Sequence, residues 1–196
     1  MRQAEIKRTT RETDIALKLN LDGSGRAGID TGCGFLNHML ELFAFHGSFD
    51  LTVSCRGDID VDDHHTVEDV GIALGQAFAD ALGEKRGIAR YGNFLLPMDE
   101  ALVLIAVDLS GRDCLGWQMS IPTQKVGTFD TELVKEFMLA FTRTLRATIH
   151  VHQMAGENSH HIIEAMFKGL GRAMKAAVAI DPARGDGVAS SKGTLA

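Results

Sequence analysis

The sequence predicts an α+β protein built from two copies of one strand-strand-strand-helix-strand-helix unit, residues 1–92 and 93–180, followed by a tail at 181–196. Three observations predict it. The unit His-His-x-x-Glu occurs twice, as His64-His65-Thr66-Val67-Glu68 and His160-His161-Ile162-Ile163-Glu164, 96 positions apart (64 to 160) in a chain with eight histidines. Ahead of each copy, strand-like alternation gives way to helical three-and-four spacing and back again in the same order. The turn Asp22-Gly23-Ser24-Gly25-Arg26 is echoed by Asp108-Leu109-Ser110-Gly111-Arg112. Each half should form a sheet with two helices on one face. The halves should pack with pseudo-twofold symmetry, leaving the helices between two sheets.

Residues 3 to 9 and 12 to 21 alternate, most clearly in Ile15-Ala16-Leu17-Lys18-Leu19-Asn20-Leu21, and Asp22 to Gly25 supplies turn chemistry, so two antiparallel strands open the chain. A short strand is expected near 26 to 30. Residues 35 to 44 carry apolar side chains at three- and four-residue intervals, hence a helix, and it bears His38. A strand follows at 49 to 56. The helix opened by the first His-His unit runs on through Val70, Leu74 and Phe78 to a break at Gly83 or Gly87. The second half should place strands at 94–96, 101–109 and 114–120, a helix from 131 to about 146, a strand at 148–153, and the second His-His helix to about 178. His38 and Glu136 hold corresponding places in the first helix of each half, 26 and 24 residues ahead of the His-His units. The tail is rich in Gly and small polar residues and reads as a flexible loop, although Ser190-Ser191-Lys192 between glycines also suits a phosphate clamp.

With 45% hydrophobic and 23% charged residues the composition is that of an ordinary soluble protein. A net charge of -6 argues against a nucleic-acid groove and leaves a small anion as the expected partner of any local basic cluster. Cys33, Cys55 and Cys114 stand alone without CxxC spacing, as a reducing compartment permits. The first residues carry charge but no apolar stretch follows, and no run approaches ~18 apolar residues. A cytoplasmic protein without membrane or nucleic-acid partners is expected.

The His-His units carry the chemistry. On a helix turning about 100° per residue, His64 and Glu68 share a face whereas His65 points roughly a quarter turn away. The second copy repeats this with His160, Glu164 and His161. Two such units facing each other could exchange ligands, each ion taking a His and a Glu from one copy and the adjacent His from the other. A dinuclear site results. Imidazole and carboxylate without thiolate suit Mn, Fe, Co or Zn better than Ca or Mg. On these residues alone a dinuclear hydrolase and a non-catalytic metal-binding protein both stay open.

Six stretches narrow the choice: Gly34-Phe35-Leu36-Asn37-His38-Met39-Leu40, Asp63-His64-His65-Thr66-Val67-Glu68-Asp69, Pro97-Met98-Asp99-Glu100-Ala101-Leu102, Asp108-Leu109-Ser110-Gly111-Arg112, Asn158-Ser159-His160-His161-Ile162-Ile163-Glu164-Ala165 and Ser190-Ser191-Lys192-Gly193. In this order and spacing the chain resembles the imidazoleglycerol-phosphate dehydratases of histidine biosynthesis along nearly its whole length. The resemblance implies halves of the ribosomal protein S5 domain 2-like type, two Mn2+ per active site, and a homo-oligomer of 24 subunits with active sites at subunit contacts. It implies dehydration of D-erythro-imidazole-glycerol phosphate to imidazole-acetol phosphate. Carried over by position, one ion would take His38, His64, Glu68 and His161, and the other Glu136, His160, Glu164 and His65. Many relatives have His where this chain has Glu136; carboxylate also ligates Mn, so the site should persist with altered affinity. Glu12 aligns with the family's proton-accepting carboxylate, and Arg90, Arg112, Lys168, Ser190 and Lys192 with its phosphate partners. The carbon that loses its proton bears no carbonyl, so the substrate's imidazole must help. Held between two ions as imidazolate, it can expel the neighbouring hydroxyl, which makes the next C–H acidic, and Glu12 then takes that proton.

Overall fold

The structure, a computed structural model, describes residues 2–195. The first half comprises β1 (Gln3–Thr9), β2 (Thr13–Asn20), β3 (Ala27–Asp30), α1 (Gly34–Gly47), β4 (Asp50–Gly57) and α2 (His64–Leu82). The second comprises β5 (Tyr91–Met98), β6 (Ala101–Asp108), β7 (Cys114–Gln118), a small hairpin of β8 (Lys125–Val126) and β9 (Phe129–Asp130), α3 (Leu133–Leu145), β10 (Thr148–Ala155) and α4 (Ser159–Val178). The sheet orders are β1-β2-β4-β3 and β5-β6-β10-β7. In each sheet the third strand of its half runs parallel to the strand after the helix, β3 to β4 and β7 to β10, and the other pairings are antiparallel. Setting the hairpin aside, the two halves have one topology, so the predicted duplication is present.

Alternation decides which sheet face is buried. Ile15, Leu17 and Leu19 of β2 and Val103, Ile105 and Val107 of β6 point inward, with more exposed residues between them. The helices fill the space between the sheets and pair across the halves, α2 with α3 and α1 with α4. Phenylalanines join these pairs: Phe43 of α1, Phe78 of α2 and Phe141 of α3 meet edge to face at centroid distances of 5.8 to 6.5 Å, and Phe137 of α3 lies 5.3 Å from Phe167 of α4. One core therefore serves both halves. Asp69, buried on α2, accepts hydrogen bonds from Arg8 and Thr13, each at 2.5 Å, and so locks the first His-His helix onto β1 and the start of β2.

Glycines set the helix spacing at corresponding places. A Cβ on Gly75 would lie 2.0 Å from Thr144 Oγ1 and 2.6 Å from the Phe141 carbonyl oxygen; on Gly171, it would lie 2.5 Å from the Phe43 carbonyl oxygen and 3.0 Å from Gly47 N. For Gly171→Ala the helix-propensity gain is about 1 kcal/mol. The clash is with backbone, which cannot rotate away, and overpacking costs up to about 3 kcal/mol. A net loss of about 1–2 kcal/mol is expected. A denaturant titration measures it, and an unchanged midpoint would show that the α1–α4 crossing opens without cost.

The structure differs from the sequence reading in the β8–β9 hairpin, which that reading lacked, in β5 and in the tail. β5 starts at Tyr91 and runs through Pro97, which an edge strand tolerates because the missing N–H faces no neighbour. The tail, read as a flexible loop, returns to the body: Gly87 N donates to Gly187 O at 2.9 Å, Arg86 and Val188 form a β-bridge, and Ala189 is buried.

Candidate active site

Both histidine pairs stand in the first turn of their helices, where side chains from the preceding loops meet the free N–H groups. Asn158 Oδ1 accepts from His160 N (2.9 Å) and His161 N (3.3 Å), and Asp62 Oδ1 accepts from His64 N (2.7 Å). The helix starts, and with them the imidazoles, are thereby fixed to the loops.

One pair builds a cluster. His160 Nε2 lies 3.1 Å from Glu164 Oε2, one turn along α4, and His38 Nε2 of α1 lies 4.0 Å from the same oxygen. The three ligand atoms are all within 4.8 Å of one another, the one group of this kind among the described residues. Phe35 packs edge-on against the His160 ring at 5.3 Å and gives the cluster an apolar wall. Lys168 Nζ sits 2.5 Å from Glu164 Oε1. Burial opposes ionisation of Glu164, but the hydrogen bond and charge of Lys168, aided by His160, outweigh it and hold the carboxyl below its ordinary value.

Within the chain the residues cluster differently from the sequence-based grouping, which joined His38 to His64 and Glu68, and Glu136 to His160 and Glu164. Helices pair across the halves, so His38 on α1 faces the His-His helix of the other half, α4. By the same pseudo-twofold, Glu136 on α3 is the counterpart of His38 for His64 and Glu68 on α2. That second set does not form so tight a group, and Glu68 accepts from Arg143 at 3.4 Å instead.

His65 and His161 stay outside the cluster, so the expected exchange does not occur within one chain. His65 Nδ1 lies 3.0 and 3.2 Å from the Asp58 oxygens, and its Nε2 is 3.8 Å from Glu12 Oε1. His161 Nδ1 lies 2.7 Å from Glu100 Oε2, with Nε2 3.7 Å from Asp99 Oδ2. The hydrogen bonds to Asp58 and to Glu100 raise the pKa of each imidazole, and Glu100 is lowered to about 2 by His161 and the backbone N–H of Asn158. Sequence reasoning did not single out Asp58 or Glu100. Its one signal was the place of Glu100 in the 97–102 stretch.

Among the proposed phosphate partners, Arg90 is gripped by Asp108 at 2.7 and 3.1 Å and donates to the Ala189 carbonyl at 2.8 Å, beside Ser190, whose Oγ accepts from Lys192 N at 3.2 Å. Arg112 is held to its turn through Ser110, and Lys168 stands with Glu164.

Fold and cluster together define a duplicated α+β enzyme whose histidine–carboxylate centre lies at helix starts paired across its halves. The family model described as imidazoleglycerol-phosphate dehydratase matches residues 31–174. The chain belongs to the imidazoleglycerol-phosphate dehydratase family. It is 57% identical over 195 residues to the imidazoleglycerol-phosphate dehydratase of a Synechococcus species, covering 100% of this chain and 96% of the relative. It is equally similar, at 57% over 195 residues with 100% of both covered, to that of Methylorubrum extorquens. The crystal structure of the Staphylococcus aureus enzyme superposes with a TM-score of 0.84 at 41% identity, covering 91% of this chain and 99% of that one. The Pyrococcus furiosus enzyme gives 0.82 at 40%, covering 97% and 100%. The protein is a lyase that dehydrates imidazole-glycerol phosphate in histidine biosynthesis.

Proposed function

We propose that this dehydration runs at a centre holding two Mn2+ ions, completed by neighbouring copies of the chain. The convergence of His38, His160 and Glu164 carries the reading. The donors are nitrogen and oxygen, and no cysteine joins the group, Cys33 and Cys55 being buried thiols whose pKa burial pushes up to about 11, so the set suits a manganese-type ion rather than a thiolate-seeking one. We assign His38, His160 and Glu164 to one ion with His65 of another copy, and His64, Glu68 and Glu136 to the other with a copy's His161. The half-exposed or more exposed Tyr91, Leu95 and Met154 on the outer face of the second sheet support burial against further copies, up to the expected 24-mer.

When bound, the ions supply Lewis acidity that lowers the pKa of a ligated imidazole. The chain's own residues do the rest. Glu12, exposed in the β1–β2 turn and anchored through its N–H to Thr10 Oγ1 at 3.1 Å, is a carboxylate base standing beside His65. Arg90, Arg112, Lys168, Ser190 and Lys192 bind the phosphate, Arg through paired donors and Lys as a point charge. No helix of the described residues is long and apolar enough to cross a membrane. Metal analysis after reconstitution with Mn2+ should find two ions per chain. His160→Ala should lower that number, and a wild-type chain that retains none would sink the reading.

A further inference from the structure

We propose that Glu100 and Asp58 are positioning residues: each holds the Nδ1 of the second histidine of a pair, His161 or His65, so that Nε2 is the nitrogen presented to metal. The inference rests on the metal reading above and goes beyond it, because it concerns how the ligands are aimed.

The duplication makes the case for Glu100. Glu12 is the residue immediately before β2, and Glu100 the residue immediately before β6. Ile15, Leu17 and Leu19 follow Glu12 at the same steps as Val103, Ile105 and Val107 follow Glu100, and all six point into the core. The two carboxylates are therefore counterparts in the two halves, and each faces the second histidine of its own half. Their bonding has diverged. Glu100 Oε2 lies 2.7 Å from His161 Nδ1, while its Oε1 accepts from Asn158 N at 2.8 Å and Glu157 N at 3.2 Å, so both oxygens are committed to the start of α4. The Glu12 carboxylate accepts no hydrogen bond among the described residues and stands 3.8 Å from the opposite nitrogen, His65 Nε2. In the first half the Nδ1 role has passed to Asp58, just after β4, at 3.0 and 3.2 Å.

A carboxylate can only accept, so each contact places the proton on Nδ1 and leaves the Nε2 lone pair outward. It also fixes the ring plane and makes Nε2 the stronger ligand. One inherited carboxylate is thus left free for proton transfer, and its twin serves as a buttress for a ligand.

The test uses full-length Glu100→Gln and Asp58→Asn. Glutamine keeps a carbonyl for the Asn158 N–H but can turn its amide donor toward Nδ1, favouring the wrong tautomer. Each variant should retain Mn2+ 10–100-fold more weakly than wild type in competition with a chelator. Each should keep the wild-type melting temperature in metal-free form. Nitrogen NMR of metal-free, histidine-labelled protein should show the Nδ1–H form of His161 or His65 depleted in the matching variant only. Unchanged Mn2+ retention in both overturns the proposal whatever the tautomers do. So does weakened retention with wild-type tautomers and a lowered melting temperature, which would leave Glu100 as a cap of α4. If wild type itself retains no Mn2+, the metal reading fails, and the tautomer comparison still decides whether these carboxylates aim the rings.

Discussion

Glu12→Gln is expected to retain its metal and bind substrate but to turn over ~100-fold more slowly or worse, the usual scale for losing a positioned general base. The amide is isosteric and cannot take a proton. Its fold cost should be small, because the side chain is exposed and accepts no hydrogen bond among the described residues, whereas the turn is anchored by the main-chain N–H on Thr10. The change should therefore fall on kcat, with KM and metal content near wild type. Steady-state kinetics and metal analysis on one preparation check this. A variant working at close to the parent rate would send the search for the base elsewhere.

Chelation is expected to have the larger effect, abolishing turnover to background and breaking the proposed oligomer into smaller particles. Within a chain the cluster offers three ligands, while His65 and His161 are held by Asp58 and Glu100 outside it. An ion that also takes one of these imidazoles from another copy bridges two chains, so its removal costs the assembly its cross-links together with its Lewis acid. Light scattering before chelation, after it and on return of Mn2+ follows the particle while activity is assayed. A particle that keeps its size in metal-free buffer would show that the apolar outer sheet face suffices for assembly.

Period and spacing make much of this molecule legible. β2 announces itself by alternation and β6 by an unbroken apolar run, and α2 and α4 by long apolar stripes behind histidine pairs. What periodicity does not carry is which helices meet. α1 and α2 are neighbours in sequence, and pairing them is the natural inference, yet each packs on a helix of the other half; that is why the sequence reading groups His38 with His64 and Glu68, although it names all three residues that the structure clusters. The β8–β9 hairpin, with two residues in each strand, is too short for any periodic signal. Asp58 and Glu100 pass unnoticed because single carboxylates beside turns are common, and only distance to an imidazole nitrogen distinguishes them. The tail's backbone pairing with residues 86 and 87 uses main-chain groups that composition does not report.

The pairing of helices across halves also bears on ancestry. Since the cluster takes His38 from one half and His160 and Glu164 from the other, a single ancestral unit could assemble such a group only by dimerising about a twofold axis, which would build two identical groups at once. Every substitution in such an ancestor would strike both. Joining two units into one chain would free each copy to change alone, and the chain shows differences of that kind: a histidine at 38 where its twin position holds Glu136, and a Glu12 whose carboxylate accepts no hydrogen bond among the described residues where its twin, Glu100, is tied down.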